Sequence, residues 1–305
     1  MKVFVLAPKE NWICDRITTE WYRENDSIST NNPQEADVIW LQAGWCWNHL
    51  TKNLLENKKI ICTEHHIVPE KFNQKSLHEF LYRDKFVDLY HVPNEKTYNI
   101  VKQLTKKPIA ILNYWVDLEK WKPGNRELAK KNLLLPENKF IVSSIQRDSE
   151  GLTDNPKLEK GPDLFLNLVK KIKKQKDVHV LLGGYRRKYL VNNFKKENIN
   201  YTLIELADIK KLRAMYLATD LYIVASRYEG GPQALLEASA TMTPLITSDV
   251  GIAKSVICKN CIINVEKDLY FPNLSDVQEN YKNILQYDIK IHKSNYIDLF
   301  KKVLK

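Results

Sequence analysis

The chain alternates short apolar runs rich in β-branched residues with longer segments of helical periodicity, and this alternation limits the fold more than any other feature. Strands separated by helices are joined by crossover connections, which pair the strands in parallel. We therefore predict an α/β fold of doubly wound parallel sheets. The predicted strands are Lys2 to Leu6, Asp37 to Gln42, Lys59 to Thr63, Asp88 to Val92, Pro108 to Asn113, Phe140 to Ser144, Val178 to Gly183, Tyr201 to Leu206, Leu221 to Ala225 and Leu245 to Ser248.

The alternation lapses after residue 112, where Pro123 and Pro136 interrupt the pattern. A chain of 305 residues also exceeds the usual size of a single hydrophobic core. The predicted parts are an N-terminal domain, a connection, a second domain and a C-terminal helix packed back on the first domain, at 1–112, 113–137, 138–288 and 289–305. In such a fold, ligands bind at the carboxyl ends of the strands and in the cleft between the domains.

Charge and hydropathy restrict the partners and the compartment. The 47 basic and 37 acidic residues give a formal net charge of +10, which favours phosphate-bearing molecules, polyanions or an anionic membrane surface. Much of the excess is lysine on amphipathic helices, for which a solvated helix face is the simpler interpretation. The first apolar run is too short for a signal peptide, and no window reaches the length of a membrane span. We expect a soluble cytoplasmic protein with at most peripheral contact at the inner face of a membrane.

The cysteines indicate buried thiols in a reducing compartment. There are five, an odd number, and they lie in apolar contexts. Cys258 and Cys261 form a C-x-x-C pair, without a second pair or a histidine cluster to complete a tetrahedral zinc site. We predict no metal site and no cofactor.

Tryptophan and glycine are unevenly distributed. All seven tryptophans lie between Trp12 and Trp121, whereas seven of the nine glycines lie at or beyond Gly151. Glycine allows the backbone to approach phosphates closely, and exposed aromatic rings stack on sugars. The second half is therefore predicted to bind a nucleotide and the first half an acceptor. Most tryptophans are expected in the core, but Trp45 and Trp47, just after a strand, are not.

The segment SRYEGGPQALLEASA places two carboxylates around a strand-to-helix turn. Gly230 and Gly231 form the turn, and Pro232 is predicted as the first helical residue. The turn directs unpaired N–H groups and the positive end of a helix dipole towards a ligand. Glu229 lies at the carboxyl end of the strand, and Glu237 lies about 7.5 Å along the helix axis. Taken alone, the pair is equally well explained without a ligand. Glu237 would then be a solvated helix residue, and Glu229 an acid that favours the dipole at the first helical turn.

Two cations accompany this turn. Arg147 follows one strand, and Lys160 precedes the helix that starts at Gly161 and Pro162. At the carboxyl end of one sheet, they could neutralise a diphosphate leaving group without a metal ion. Taken singly, either residue is as well explained as a surface charge.

The order of these motifs carries a resemblance. Arg147, Lys160-Gly161, Gly183-Gly184, SRYEGGPQALLEASA and TPLITSDVG together resemble the C-terminal domain of retaining GT-B glycosyltransferases of the glycosyltransferase family 4 type. ILNYWVDLEKWKP, at 111–123, is similar to the family's domain connection, and ICTEHHIVP, at 61–69, to its N-domain strand that ends in a histidine. The resemblance extends from about residue 109 to 257 and is faint before that. It implies two Rossmann-like domains that face each other across a cleft.

The resemblance also implies roles for single residues. Arg147 and Lys160 would hold the donor diphosphate. Glu229 would contact hydroxyls of the transferred sugar, and Glu237 would bind the ribose. His65 would reach the sugar near the reacting carbon. The further donor contacts are assigned to Gly183, Gly184, Gly230, Gly231, Pro232, Gln233 and Ala234, and the acceptor side to Asn11, Trp12, Trp45, Trp47 and His66.

The chain departs from the family pattern at four places. Gln146 and Met242 stand where the family has glycine, and GIAKS, at 251–255, replaces its Gly-Gly-x-Pro-Glu pattern. APKENWICDR, at 7–16, replaces the glycine loop after the first strand. These differences concern the donor contacts, and the short N-terminal domain suggests a reduced acceptor side.

The expected activity is retaining transfer of a sugar from a nucleoside diphosphate sugar to a hydroxyl of a saccharide or lipid-linked saccharide, in cell-surface glycan or glycolipid synthesis. No metal is expected to be needed. Two alternatives stay open. One is a glycosyltransferase that modifies DNA, for which the net charge would supply phosphate contacts. The other is a non-catalytic module of the same fold that binds nucleotide sugars or glycans.

Overall fold

The computed structural model describes residues 1–10 and 13–305. Its strands are β1 Val3–Leu6, β2 Val38–Leu41, β3 Lys59–Thr63, β4 Leu89–Val92, β5 Ile109–Ile111, β6 Phe140–Ile145, β7 Val178–Gly183, β8 Tyr201–Ile204, β9 Leu221–Val224 and β10 Leu245–Thr247. Each lies within or overlaps a predicted strand, and these strands pair in parallel. The prediction of parallel α/β sheets is confirmed.

The helices fill the intervals between the strands. They are α1 Ile13–Glu24, α2 Lys52–Asn57, α3 Gln74–Asp84, α4 Glu95–Val101, α5 Arg126–Asn132, α6 Pro162–Lys173, α7 Lys188–Lys196, α8 Ile209–Leu217, α9 Gln233–Ala240, α10 Ala253–Val256, α11 Leu274–Ile284 and α12 Ile289–Leu304. The sequence analysis missed α11, although Asn273 and Asp276 form a capping box at its start. No helix among the described residues is long and apolar enough to cross a bilayer.

The chain divides into two compact units. Residues Met1–Trp115 and Ile289–Lys305 form the first, and Val116–Asp288 form the second. Each unit contains one five-stranded sheet. The first sheet has the order β1-β2-β3-β4-β5, and a bridge between Val3 and Ser29 adds a minimal edge strand beyond β1. With that edge the strand order reverses at β1, as in doubly wound folds.

Alternation along the first sheet creates two cores. Ile39 and Leu41 belong to the core beneath α2, α3 and α4. Trp40 points to the opposite face, because successive side chains of a strand alternate. There its ring centroid lies 5.2 to 6.2 Å from four others, those of Trp21, Trp115, Tyr296 and Phe300. Together with Trp121, which is buried in the second unit, four of the seven tryptophans are core residues, as predicted for most of them.

The second sheet has the order β10-β9-β6-β7-β8, so the chain reverses direction across the sheet at β6. Val142 and Val180 pack towards α6 and α7, whereas Ile141 and Leu181 pack with Met215 of α8 on the other face. With both faces covered, a ligand has access only at an end of the strands. Loops after β6 and β9 leave the sheet side by side at the switch point, where doubly wound folds bind ligands.

Candidate functional site

Lys160 and Glu229 form an ion pair at the switch point of the second sheet. Lys160 Nζ lies 2.6 Å from Glu229 Oε1, and the two side chains keep only 16% and 10% of their exposure. Ser226 Oγ donates to the same carboxylate oxygen at 3.1 Å. Two groups that the sequence analysis assigned to diphosphate and sugar are therefore in direct contact, although 69 positions separate them along the chain.

Backbone packing brings these two residues together. Gly161 has φ +61°, and a Cβ there would lie 1.9 Å from Ala225 O. Only glycine therefore lets the chain after Lys160 pack directly on the end of β9. Next to this contact, the carbonyl oxygen of Glu159 accepts from the backbone N–H of Arg227 and of Tyr228, at 2.9 and 3.1 Å.

Gln146, at one of the positions that depart from the family pattern, supports the same cluster. Its Nε2 donates to Lys160 O at 2.9 Å, and Ser226 Oγ lies 3.4 Å from its Oε1. A glycine could make neither contact. Gln146 and Ser226 join the candidate site through these contacts, which the sequence did not indicate and which only the proximity of three distant segments reveals.

Arg147 follows Gln146 in the loop after β6 and is half-buried. The next residue anchors this loop: Asp148 Oδ2 lies 3.0 Å from Arg187 Nε, and both side chains are buried. The backbone N–H of Asp148 and of Ser149 donates to Arg186 O at 3.1 and 3.2 Å. Arg147 thus lies in an anchored loop at the same sheet edge as Lys160.

Two helix N-termini point to this edge without a capping side chain. Gly161 is the N-cap of α6, and Pro232 is the N-cap of α9. The prediction that Pro232 is the first helical residue is wrong by one position, because its ψ of 105° is extended and α9 begins at Gln233. Since neither cap carries an acceptor side chain, the helix N–H groups are suited to an anion.

Gly251 backs the Gly230–Pro232 turn. Its φ is +55°, and a Cβ there would lie 2.6 Å from Gly230 O and 2.8 Å from Pro232 Cδ. The glycine that opens GIAKS therefore keeps the function of close packing, even though the rest of that segment differs from the family pattern. Gly231 lies in this same turn, and Ala234 lies in the first turn of α9.

Glu237 is a buried carboxylate with 4% exposure, which excludes the interpretation as a solvated helix residue. Tyr216 OH donates to its Oε2 at 2.7 Å. Gln233, one turn earlier on α9, is also buried.

Two glycines end the neighbouring strand at the same edge. Gly183 is the last residue of β7, and a Cβ there would lie 2.6 Å from Met215 Cε. Gly184 has φ +90° and open space around its Cα. The first glycine is therefore needed for packing, and the second leaves room for a ligand.

His65 belongs to the first unit and is held by its ring nitrogens. Its Nε2 lies 2.7 Å from Gln42 O, a carbonyl, so this nitrogen carries the proton. Its Nδ1 forms a hydrogen bond with Tyr114 OH. Both ring nitrogens of His65 are therefore engaged, which suits a positioning role better than proton transfer. Cys14 Sγ lies 3.5 Å from Nε2, and burial raises the pKa of this thiol to about 12.

The acceptor-side candidates of the first unit differ in exposure. Trp45 is 49% exposed, and His66 is half-buried. The expectation that Trp47 lies outside the core is wrong: it packs against the first core, with its ring centroid 5.2 Å from that of Tyr82. Trp45 and Trp47 both lie in the 3₁₀ helix Gly44–His49. This helix has three residues per turn, so side chains two positions apart point to different sides. Asn11 and Trp12 lie outside the described residues.

One group of potential metal ligands occurs among residues 1–10 and 13–305, namely Cys258, Cys261 and Asp276. The hydrogen bonds and the protonation of these side chains are unfavourable for binding a metal ion. Asp276 accepts hydrogen bonds from Tyr270 OH at 2.6 Å, from Asn273 N and from Asn260 Nδ2. Burial also raises the pKa of both thiols, which favours the protonated form that does not bind metals. All five cysteines are buried and unpaired by disulfides, as predicted.

Comparison with known proteins agrees with this geometry. Residues 125–268 match the family model described as Glycosyl transferases group 1. The chain is 27% identical over 194 residues to the UDP-Gal:alpha-D-GlcNAc-diphosphoundecaprenol alpha-1,3-galactosyltransferase of Escherichia coli, covering 60% of this chain and 46% of the relative. It is 30% identical over 152 residues to the O-antigen biosynthesis glycosyltransferase WbnH of Escherichia coli, covering 48% and 43%. The chain thus spans less than half the length of these curated relatives.

Solved structures show the same fold over nearly the whole chain. Anabaena Alr3699/HepE, in complex with UDP and glucose, superposes with a TM-score of 0.79 at 11% identity, covering 99% of each chain. A glycosyltransferase from Rickettsia africae ESF-5 gives a TM-score of 0.64 at 16% identity, covering 100% and 98%. The chain therefore has the GT-B fold, and its residues 125–268 are similar to the glycosyl transferases group 1 domain.

Proposed function

We propose that the protein is a retaining glycosyltransferase of the glycosyltransferase family 4 type, which moves a sugar from a nucleoside diphosphate sugar to an acceptor hydroxyl. The observation that carries this proposal is the Lys160–Glu229 pair at the switch point of the second sheet, 2.6 Å apart. It combines a cation for a phosphate with a carboxylate for sugar hydroxyls, next to two helix N-termini without capping side chains.

In the proposed reaction, Lys160 exchanges partners. Without ligand, its ammonium group neutralises Glu229; with donor bound, it would contact a diphosphate oxygen, and Glu229 would accept hydrogen bonds from sugar hydroxyls. Ser226 Oγ, which donates to the carboxylate at 3.1 Å, would continue to hold it after this exchange. As the glycosidic bond breaks, negative charge grows on the diphosphate. Arg147, Lys160 and the N-terminus of α9 stabilise that charge most strongly in the transition state, which lowers the barrier. No metal ion is required in this scheme.

Retention follows if the acceptor attacks the anomeric carbon from the face that the diphosphate leaves. In that scheme the protein supplies no nucleophile, and Glu229 positions the sugar. NMR can show whether the anomeric configuration of the product is the same as that of the donor sugar. An inverted product would exclude this mechanism.

We propose a uridine diphosphate sugar as the donor and a saccharide or lipid-linked saccharide as the acceptor. The support is the UDP bound in the HepE structure and the name of the galactosyltransferase relative, which gives UDP-Gal as its donor and a diphosphoundecaprenol-linked sugar as its acceptor. The enzyme would work in the cytoplasm, with peripheral contact at the membrane surface that presents a lipid-linked acceptor. A formal net charge of +10 favours such contact with anionic lipids.

Nucleoside diphosphates should raise the melting temperature of the full chain, because a ligand that binds only the folded state stabilises it by mass action. A screen with UDP, GDP and ADP at 100 times the dissociation constant should give about 2.7 kcal/mol of stabilisation for the matching base. We expect the largest shift with UDP. No shift with any of the three would contradict the proposed function.

Trp45→Ala should raise the KM for the saccharide acceptor about 3- to 10-fold, because an exposed aromatic face stacks on a sugar ring. The KM for the donor should stay unchanged. Leu81→Ala is the control, since Leu81 is apolar and exposed to a similar degree, 47% against 49%. Steady-state kinetics with acceptor and donor varied in turn would measure both constants. Equal effects of the two variants would remove Trp45 from the acceptor side.

A further inference from the structure

Glu237 has an environment that calls for explanation. A carboxylate with 4% exposure is costly unless nearby donors hold it, and α9 places this one inside a mostly apolar helix. The phenol of Tyr216, on α8, donates to Oε2 at 2.7 Å. This contact joins two helices 21 positions apart in sequence, so it fixes the carboxylate from outside its own helix.

A second tyrosine packs beside Tyr216. Tyr222, on β9, lies with its ring centroid 5.1 Å from that of Tyr216. The backbone N–H of Ile145 lies 3.4 Å from Tyr222 OH. Tyr222 is thus fixed at the end of β6 by its hydroxyl, and its ring packs on the tyrosine that donates to Glu237.

Both phenols stay protonated at neutral pH. Burial, followed by the charge of Glu237, raises the pKa of Tyr216 well above its ordinary value. Burial raises the pKa of Tyr222 as well, and the hydrogen bond from the backbone N–H of Ile145 opposes the rise. A phenol that keeps its proton remains a hydrogen-bond donor, so Tyr216 keeps donating to Glu237 at neutral pH.

We propose that Tyr216 is a positioning residue, supported by Tyr222, that holds Oε2 of Glu237 so that the other carboxylate oxygen accepts hydrogen bonds from the ribose of the nucleotide. This proposal rests on the proposed function. It also implies that ribose recognition is tied to the end of β6, where the Gln146–Arg147 loop begins, so that ribose and diphosphate contacts share one rigid support.

A purely structural role would give a different result. If the tyrosines only filled the core, removing one hydroxyl would weaken the binding of every nucleotide alike. If Tyr216 acts through Glu237, the loss should be confined to nucleotides that carry ribose hydroxyls. A comparison of ribose and dideoxyribose nucleotides therefore separates the two roles.

The experiment measures dissociation constants by calorimetry for UDP, GDP and ADP and for their 2′,3′-dideoxyribose forms. The unaltered full chain should prefer the ribose form of the matching base about 10-fold or more, since hydrogen bonds to a charged group are involved. Tyr216→Phe should reduce that preference about 3- to 10-fold and leave the dideoxy constant unchanged. Tyr222→Phe should act in the same direction with a smaller effect.

Two further variants serve as references. Glu237→Gln should abolish the preference for ribose. Tyr296→Phe removes another buried tyrosine hydroxyl, one that donates to Asn113 O at 3.1 Å in the first unit, and should leave the preference intact. Melting curves confirm that each variant is folded.

The outcomes distinguish the two proposals. Absence of nucleotide binding by the unaltered chain would overturn the proposed function and this inference with it. A preference that survives Glu237→Gln would overturn the assignment of the ribose contact. A preference that is lost with Glu237→Gln but unchanged in both Tyr216→Phe and Tyr222→Phe would overturn the positioning role alone.

Discussion

Replacing Lys160 by alanine should lower kcat for sugar transfer about 100- to 1000-fold, the usual effect of removing one group that stabilises transition-state charge. The ammonium group lies 2.6 Å from Glu229 and at the edge where we place the leaving diphosphate. Its loss removes that stabilisation and leaves Glu229, with 10% exposure, short of its counter-ion. The KM for the donor should change less than kcat, because the charge that Lys160 meets is largest in the transition state.

Lys170→Ala is the matched control for this experiment. Lys170 also pairs with a glutamate, Glu197, at 2.7 Å, but the two side chains are 43% and 40% exposed and lie away from the sheet edge. An exposed pair contributes little, so the variant should retain turnover within about 2-fold. Equal turnover of the Lys160 and Lys170 variants would contradict the assignment of Lys160.

Gly161→Ala should lower the free energy of unfolding of the second unit by about 3 to 5 kcal/mol, at the upper end of single substitutions. The new Cβ would lie 1.9 Å from Ala225 O, a backbone atom at the end of β9 that cannot move without the sheet. The positive φ of 61° adds the ordinary penalty for an L-residue, about 1 to 2 kcal/mol. Because Lys160 precedes this glycine, any protein that still folds should also lose transfer activity.

Gly151→Ala isolates the conformational part of that effect. Gly151 has nearly the same φ, +54°, but no atom lies within 4 Å of the added Cβ. Gly151→Ala should therefore lower the free energy of unfolding by only about 1 to 2 kcal/mol. Urea unfolding of the three proteins, followed by tryptophan fluorescence and circular dichroism, would measure the difference. If both variants were destabilised equally, the close approach of Gly161 to β9 would not be a determinant of the fold.

The strands could be predicted because burial on both faces requires continuous apolar runs, and these are visible in a single sequence. β3 and β7 have the predicted bounds. Errors occur where tertiary contacts decide the outcome. Trp47 packs on the core because Tyr82, from α3, lies beside it. Pro232 lies outside α9 because its own ψ of 105° is extended.

The site could be predicted only in part, for a related reason. Lys160 and Glu229 have charges that point to a ligand, and motif order indicated them. Ser226 and Gln146 are ordinary polar residues in the sequence. Their place in the candidate site depends on a contact between positions 80 residues apart, which only the folded chain shows. Tyr216 and Tyr222 resemble core aromatics in the sequence, and only the 2.7 Å contact with Glu237 distinguishes Tyr216 from a packing residue.

The most direct test of the account measures transfer itself. The full chain is incubated with UDP-glucose, UDP-galactose, UDP-N-acetylglucosamine and GDP-mannose, each with a lipid-linked saccharide acceptor, and release of the nucleoside diphosphate is followed together with the glycosylated product. We predict stoichiometric release and product formation with one UDP-sugar for the unaltered protein, and a loss of both in Lys160→Ala and Glu229→Gln. Release at the same rate in all three proteins, or release that never accompanies a glycosylated product, would contradict the proposal that this site transfers a sugar.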